Sequence, residues 1–158
     1  MPGTIIHPKQ PVRVAATLFG GKKIVGEFFL TTRSSRHAGP ETLLELLNDN
    51  TRSFVPFHLG TGTTLLNRGS VRSVDFDTPE LLDIFVKSDS EFIYSLQITF
   101  RTETKEMALQ GFCFTGELPA GNRRPADLLN SPDLFMLFYC DGNLMLLNKN
   151  AISHANVE

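Results

Sequence analysis

The chain has 158 residues, of which 41 % are hydrophobic, with a formal charge of -2 and an isoelectric point near 6.1. That length can bury a core as one ordinary domain or two very small ones, and the charge argues against the broad positive field of a dedicated nucleic-acid binder. The charge is uneven all the same: residues 1–78 carry nine Lys/Arg against six Asp/Glu, residues 79–158 six against eleven, and +3 with -5 makes the -2 of the whole.

The opening "MPGTIIHPKQPVRV" has neither the charged start nor the long apolar run of a secretory signal. No apolar run in the chain is long enough for a membrane helix, so a soluble, cytoplasmic protein with no membrane partner is expected. Residues 1–11 read as a tail. "VRVAATL" (12–18) then alternates Val12, Val14, Ala16 and Leu18 on one face, the period of a half-buried strand. After a Gly20-Gly21 turn, "KIVGEFFL" returns as its hairpin partner. "PETLLELLN" predicts a short helix, with Pro40 as start signal and Asn48 as stop. "FVPFHLGTGTTLL" reads as a hairpin turning on glycine, and "NRG" as a tight turn into a last strand, "SVRSVDF".

The linker 78–93 contains Pro79 and the spacing Leu81, Leu82, Phe85 of one short amphipathic helix. Beyond it the series repeats: "YSLQITF" and "EMALQGFCF" as a hairpin, "PADLLN" as a helix, then "MLFYC" and "NLMLL" around Asp141-Gly142, a type I′ hairpin signal. "NKN" and "AISHANV" close the chain. Aligned with one gap, Leu46–Val71 and Leu128–Ile152 place Phe54 on Phe135, Phe57 on Phe138, Asn67 on Asn148 and Val71 on Ile152. The expected fold is therefore mainly β with short helices, a tandem duplication of a β-β-α-β-β-β unit over 12–77 and 94–158. Each unit is expected to form a small, nearly closed barrel, since closure removes exposed edges. Asn67 and Asn148 are expected at tight turns because asparagine tolerates positive φ.

"LLNRGSVRSV" resembles the second signature of the Sm and LSm family, small SH3-type barrels with Arg-Gly at the turn between strands 4 and 5. Gly26 in the second strand resembles the opening of that pattern. The resemblance implies a bent five-stranded sheet and, at Arg68 and Gly69 alone, contact with RNA bases. The second unit has Lys149-Asn150 at that turn, and the helix falls between strands 2 and 3, whereas Sm proteins place theirs before strand 1.

Chemistry is sparse. The residues the two units share are Leu, Phe, Asn and Gly, with no acid, histidine or nucleophile in common. His7, His37, His58 and His154 lack metal-ligand spacing, Cys113 and Cys140 sit in apolar runs with no Cys-x-x-Cys pattern, and "GTGTT" lacks the lysine of a phosphate loop. No catalytic residue, cofactor or metal site is therefore assigned, and the chain is not read as an enzyme. Arginines precede both helices: Arg33 and Arg36 in the first unit, Arg123 and Arg124 in the second. Positive charge there opposes the helix dipole unless an anion binds. "LFMLFYC" and "LMLL" are apolar on both faces, so Phe135, Leu137, Tyr139, Met145 and Leu147 are expected at an interface, unit against unit or chain against chain. The leading expectation is a non-enzymatic module for protein contact or self-association. The alternative is an RNA or nucleotide binder using Arg33, Arg36, Arg68, Gly69, Arg123 and Arg124.

Overall fold

A computed structural model describes residues 9–32, 34, 39, 41–76, 92–102 and 104–157. The linker helix expected after residue 78 lies outside them, as do Arg33, Arg36 and His37. Ten antiparallel strands form one sheet: β1 Lys9–Leu18, β2 Lys23–Thr31, β3 Phe54–Leu59, β4 Gly62–Asn67, β5 Val71–Phe76, β6 Ile93–Arg101, β7 Glu106–Phe114, β8 Phe135–Cys140, β9 Asn143–Asn148 and β10 Ile152–Val157. Among the described residues two short helices, α1 Leu43–Asn48 and α2 Pro125–Leu129, follow β2 and β7.

The spatial order is β10-β6-β7-β8-β9-β5-β1-β2-β3-β4. The expected pair of barrels is replaced by a continuous ladder that does not close. The join is β5 against β9, with Ser73 opposite Leu147, Val74 opposite Leu146, Asp75 opposite Met145 and Phe76 opposite Leu144. The sheet is nonetheless curled. Arg72 on β5 places its guanidinium 5.5 Å from the centroid of the Phe100 ring on β6, although β10 aside these strands stand at opposite sides of the C-terminal half.

Local chemistry accounts for the elements. β1 begins at Lys9, before the alternation read from residue 12, because Lys9, Gln10 and Pro11 still lie opposite Thr31, Leu30 and Phe29. In β2 the alternation is regular: Ile24, Gly26, Phe28 and Leu30 point inward. Gly26 is required there, because a Cβ would overlap the carbonyl oxygen of His58 and come within 2.6 Å of the Phe57 ring. The space it leaves admits an edge-to-face pair, Phe28 with Phe57, at 4.9 Å between centroids, a geometry worth about 0.5–1.5 kcal/mol beyond burial. Gly111 in β7 stands in the same relation to Tyr139 and Phe138.

α1 starts after Thr42, whose hydroxyl accepts the Glu45 N–H at 3.2 Å, an N-cap in place of the proline start expected from sequence. α2 does begin on its proline, and its Arg124 N–H donates to Asp127 Oδ2 at 2.9 Å. The hairpin at Asp141-Gly142 has positive φ at both residues, 50° and 79°, as a type I′ turn requires.

The asparagines at 67 and 148 have a different role from the one expected. Both are extended, with φ of -71°. Each accepts an N–H two residues on through its side-chain oxygen: Gly69 to Asn67 at 3.0 Å, Asn150 to Asn148 at 2.9 Å. They cap a single 3-10 turn (Arg68–Ser70 or Lys149–Ala151) that swings the chain into the last strand of each half.

Two hydrophobic clusters form the interior. The first joins β1, β2, α1, β3 and β5 to Phe135, Leu137, Leu144 and Leu146 of β8 and β9. The second gathers Leu96, Ile98, Cys113, Met136, Phe138, Cys140 and Leu147. β8 thus lies between two cores, odd residues in one and even residues in the other. The covering that its two-sided apolar sequence demands is the N-terminal half of the same chain.

Candidate functional site

Among the described residues the junction between the halves carries buried side-chain amides that bond across it. Asn48, 7 % exposed at the end of α1, uses both ends of its amide: its Nδ2 donates to the Phe135 carbonyl at 3.2 Å and its Oδ1 accepts the Phe135 N–H at 2.7 Å. This satisfies both backbone groups of the first residue of β8, beyond the stretch of that strand paired with β7, where an unpaired buried group would cost about 1–3 kcal/mol. Asn148, fully buried, adds a second clamp, donating from Nδ2 to the Val71 carbonyl at 2.9 Å. Sequence reading placed Asn48 as a helix stop and Asn148 as a turn residue. Their cross-junction bonds span 87 and 77 positions, a separation at which no local pattern can signal a contact.

The residues expected at an interface lie on β8 and β9. Phe135, Leu137 and Leu147 are buried, and Tyr139 and Met145 partly so, within the chain itself. Phe135, Leu137 and Tyr139 belong to the cluster that joins the halves, whereas Leu147 and Met145 pack within the cluster of the C-terminal half.

Arg68 is anchored rather than free. Its Nη1 donates to the Leu47 carbonyl at 2.9 Å and its Nε to the Arg52 carbonyl at 3.0 Å, capping the C-terminal turn of α1. Lys149 does the same for α2, donating from Nζ to the Leu128 and Ser131 carbonyls at 3.0 and 2.8 Å. Burial lowers the Lys149 pKa, against the pull of Asp133. Position 68/149 is basic in both halves because a helix ends beneath it. Gly69 is exposed and its N–H is held by Asn67.

Arg123 donates from Nε to the Leu118 carbonyl at 2.8 Å and lies 4.7 Å from the centroid of the Phe92 ring, while Arg124 is exposed at the start of α2. Arg68 and Arg123 share no hydrogen-bond partner. A cleft of about 520 Å³ between α1, α2 and β8 is lined by Glu45, Glu117 and Asp133 with Leu44, Leu118 and Met136. Among the described residues no basic side chain lines it. A second, open hollow of about 660 Å³ on β1, β2 and β5 holds Arg13, Lys23 and Asp75. There burial raises the Asp75 pKa, partly offset by Lys23.

His58 stacks edge-on against Phe29, 6.3 Å between centroids. Both cysteines are buried and free; burial pushes the Cys113 thiol up to about 11 and, with Asp141 adding to it, raises Cys140. Among the described residues no three His, Cys, Asp or Glu side chains gather as a metal site, and no helix is long and apolar enough to cross a membrane. Compared with protein-family models, curated proteins and solved structures, the chain finds no match.

Proposed function

We propose that this protein is a non-enzymatic interaction module made of two divergent copies of one bent, Sm-like or SH3-like β-unit, and that its activity is association, with itself or with another protein. The observation that carries this reading is the way the halves meet. They are joined by strand pairing edge to edge, β5 on β9, reinforced by side-chain clamps from Asn48 and Asn148. A unit whose internal contact is a specific, clamped edge is a unit built to associate through edges. Duplication is supported by the parallel orders β5-β1-β2-β3-β4 and β10-β6-β7-β8-β9, by the paired glycines Gly26 and Gly111, and by the matched caps Arg68 and Lys149.

Light scattering on the purified protein, with absorbance at 260 and 280 nm on the same peak, tests the proposal. A mass above 17.6 kDa with a protein-like absorbance ratio is expected. A lone 17.6 kDa species at all concentrations, with no copurifying protein, would refute it. Excess absorbance at 260 nm would favour the RNA or nucleotide reading instead.

A further inference from the structure

Each half has two outer strands, and the chain uses only one of each kind. β9 of the C-terminal half is paired with β5 of the N-terminal half; β4 and β10, which occupy the corresponding places, end the sheet. Among the described residues neither outer edge has a strand partner. The contrast in burial is sharp: Leu146 on β9 is fully buried, whereas Leu65, at the same place opposite Pro56 on β4, is 65 % exposed. Phe135 is 2 % exposed and its counterpart Phe54 is 55 % exposed. Val157, at the place of Phe76, is 57 % exposed.

Apart from a register shift between Ile152 and His154 in β10, matched by one in the pairing of β5, which still accepts β9, these edges are unguarded among the described residues. Natural sheet edges are blunted by lysine, proline, inward charge or a covering loop. β4 reads Gly-Thr-Thr-Leu-Leu-Asn and β10 reads Ile-Ser-His-Ala-Asn-Val, with no lysine, proline or carboxylate in either.

We infer that β4 of one chain pairs with β10 of a second copy, repeating between molecules the β9–β5 junction found within one. This rests on the association reading above and names its partner and surface. The internal register transfers directly: Leu66 opposite His154, Leu65 opposite Ala155, Thr64 opposite Asn156 and Thr63 opposite Val157. The clamps transfer too. Asn67 stands where Asn148 does, its Oδ1 occupied by Gly69 and its amide placed to meet the Ile152 carbonyl of the second copy, as Asn148 meets Val71. Asn130, exposed just after α2, stands where Asn48 does, and across the proposed junction it would meet the backbone of Phe54 in the chain that brings β4. Leu65, Phe54 and Val157 lose their exposure together. Because each chain brings one β4 and one β10, the contact is head to tail, and assembly continues until it closes into a ring or extends as a filament.

The backbone directions identify the blocking substitutions. Phe135 turns both its N–H and C=O to Asn48, so Phe135 and Asn148 form a pair without ladder bonds, and Phe54 and Asn67 are in the same register. Ladder bonds alternate along an antiparallel pair, so the Leu65 N–H, and by the same count that of Ala155, points off the sheet. Leu65→Pro removes a donor from the β4 edge and Ala155→Pro one from the β10 edge, each sparing the ladder inside the chain.

The wild type is expected at an integer multiple of 17.6 kDa, and each variant alone at 17.6 kDa. An equimolar mixture of the two is expected at twice that mass, since each keeps one intact edge and the blocked ends stop growth. Far-UV circular dichroism checks each fold, and Leu65→Lys with Val157→Lys, both at exposed side chains, supply a second pair in which any misfolding by proline is absent. Self-association of the wild type that both variant pairs leave unchanged would overturn the edge pairing while leaving the association reading intact. A dimer of either single variant would show like-with-like pairing and overturn the head-to-tail arrangement, as would folded variants that stay monomeric when mixed. A wild type at 17.6 kDa throughout would overturn self-association itself.

Discussion

Replacing Asn48 with alanine removes one side chain and strands two backbone groups. The Phe135 N–H and carbonyl both depend on that amide, at 2.7 and 3.2 Å, and Phe135 is 2 % exposed, so water replaces the lost partners poorly. With each unsatisfied buried group costing about 1–3 kcal/mol, the expected loss is about 3 kcal/mol, a large fraction of the roughly 5–15 kcal/mol that holds a domain folded. Asn48→Asp should be no better: it keeps an acceptor for the N–H but sets a carboxylate oxygen against the Phe135 carbonyl. Asn67→Ala is the control, since it forfeits one exposed hydrogen bond, from Gly69, and should cost about 0.5–1 kcal/mol. Urea unfolding at a protein concentration where the chain is monomeric reads both differences from the midpoint at constant m. If Asn48→Ala costs no more than Asn67→Ala, the clamp does not hold the halves together and the reasoning fails.

Three further outcomes are expected. Gly111→Ala puts a Cβ onto the Tyr139 carbonyl and within 2.7 Å of the Phe138 ring, and should destabilise by about 2–3 kcal/mol. Gly62→Ala, with nothing within 4 Å, should stay within about 0.5 kcal/mol; equal losses in the same urea assay would contradict this. Asp75 has its pKa raised by burial above the ordinary 3.8, so the folded state holds the proton more tightly than the unfolded one. Ionisation therefore costs stability as pH rises from about 3.8 through the raised folded value. Asp75→Asn should raise the unfolding midpoint at pH 7 and change it little at pH 3, and a gain independent of pH would show that the carboxylate is not the cause. Finally, with Cys113 held up at about 11 and Cys140 also raised, a thiol reagent at pH 8 should label neither in the folded protein and both in urea; rapid native labelling would mean the β7–β8 region opens readily.

By itself the sequence determined the local elements of this protein. Strand alternation at Val12–Leu18, the Asp141-Gly142 turn and the Pro125 helix start are each written within a few residues, because they depend on φ preferences and on which face of a strand is apolar. Gly26 and Gly111 stood out for a related reason, since each answers a steric demand made by the adjacent strand, at Phe57 and at Phe138. Tertiary structure alone decided how the halves meet. Strand pairing is made by backbone groups that every residue carries, so nothing local distinguishes a β5 that closes its own barrel from one that pairs with β9. Asn48 and Asn148 read as turn and cap residues because their second partners lie 87 and 77 positions away. Arg68, which resembled a nucleic-acid signature, is held by the Leu47 carbonyl in the last turn of α1 and by the Arg52 carbonyl beyond it. The strands that end the sheet among the described residues, β4 and β10, likewise carry no motif; only the strand order of the folded sheet places them there.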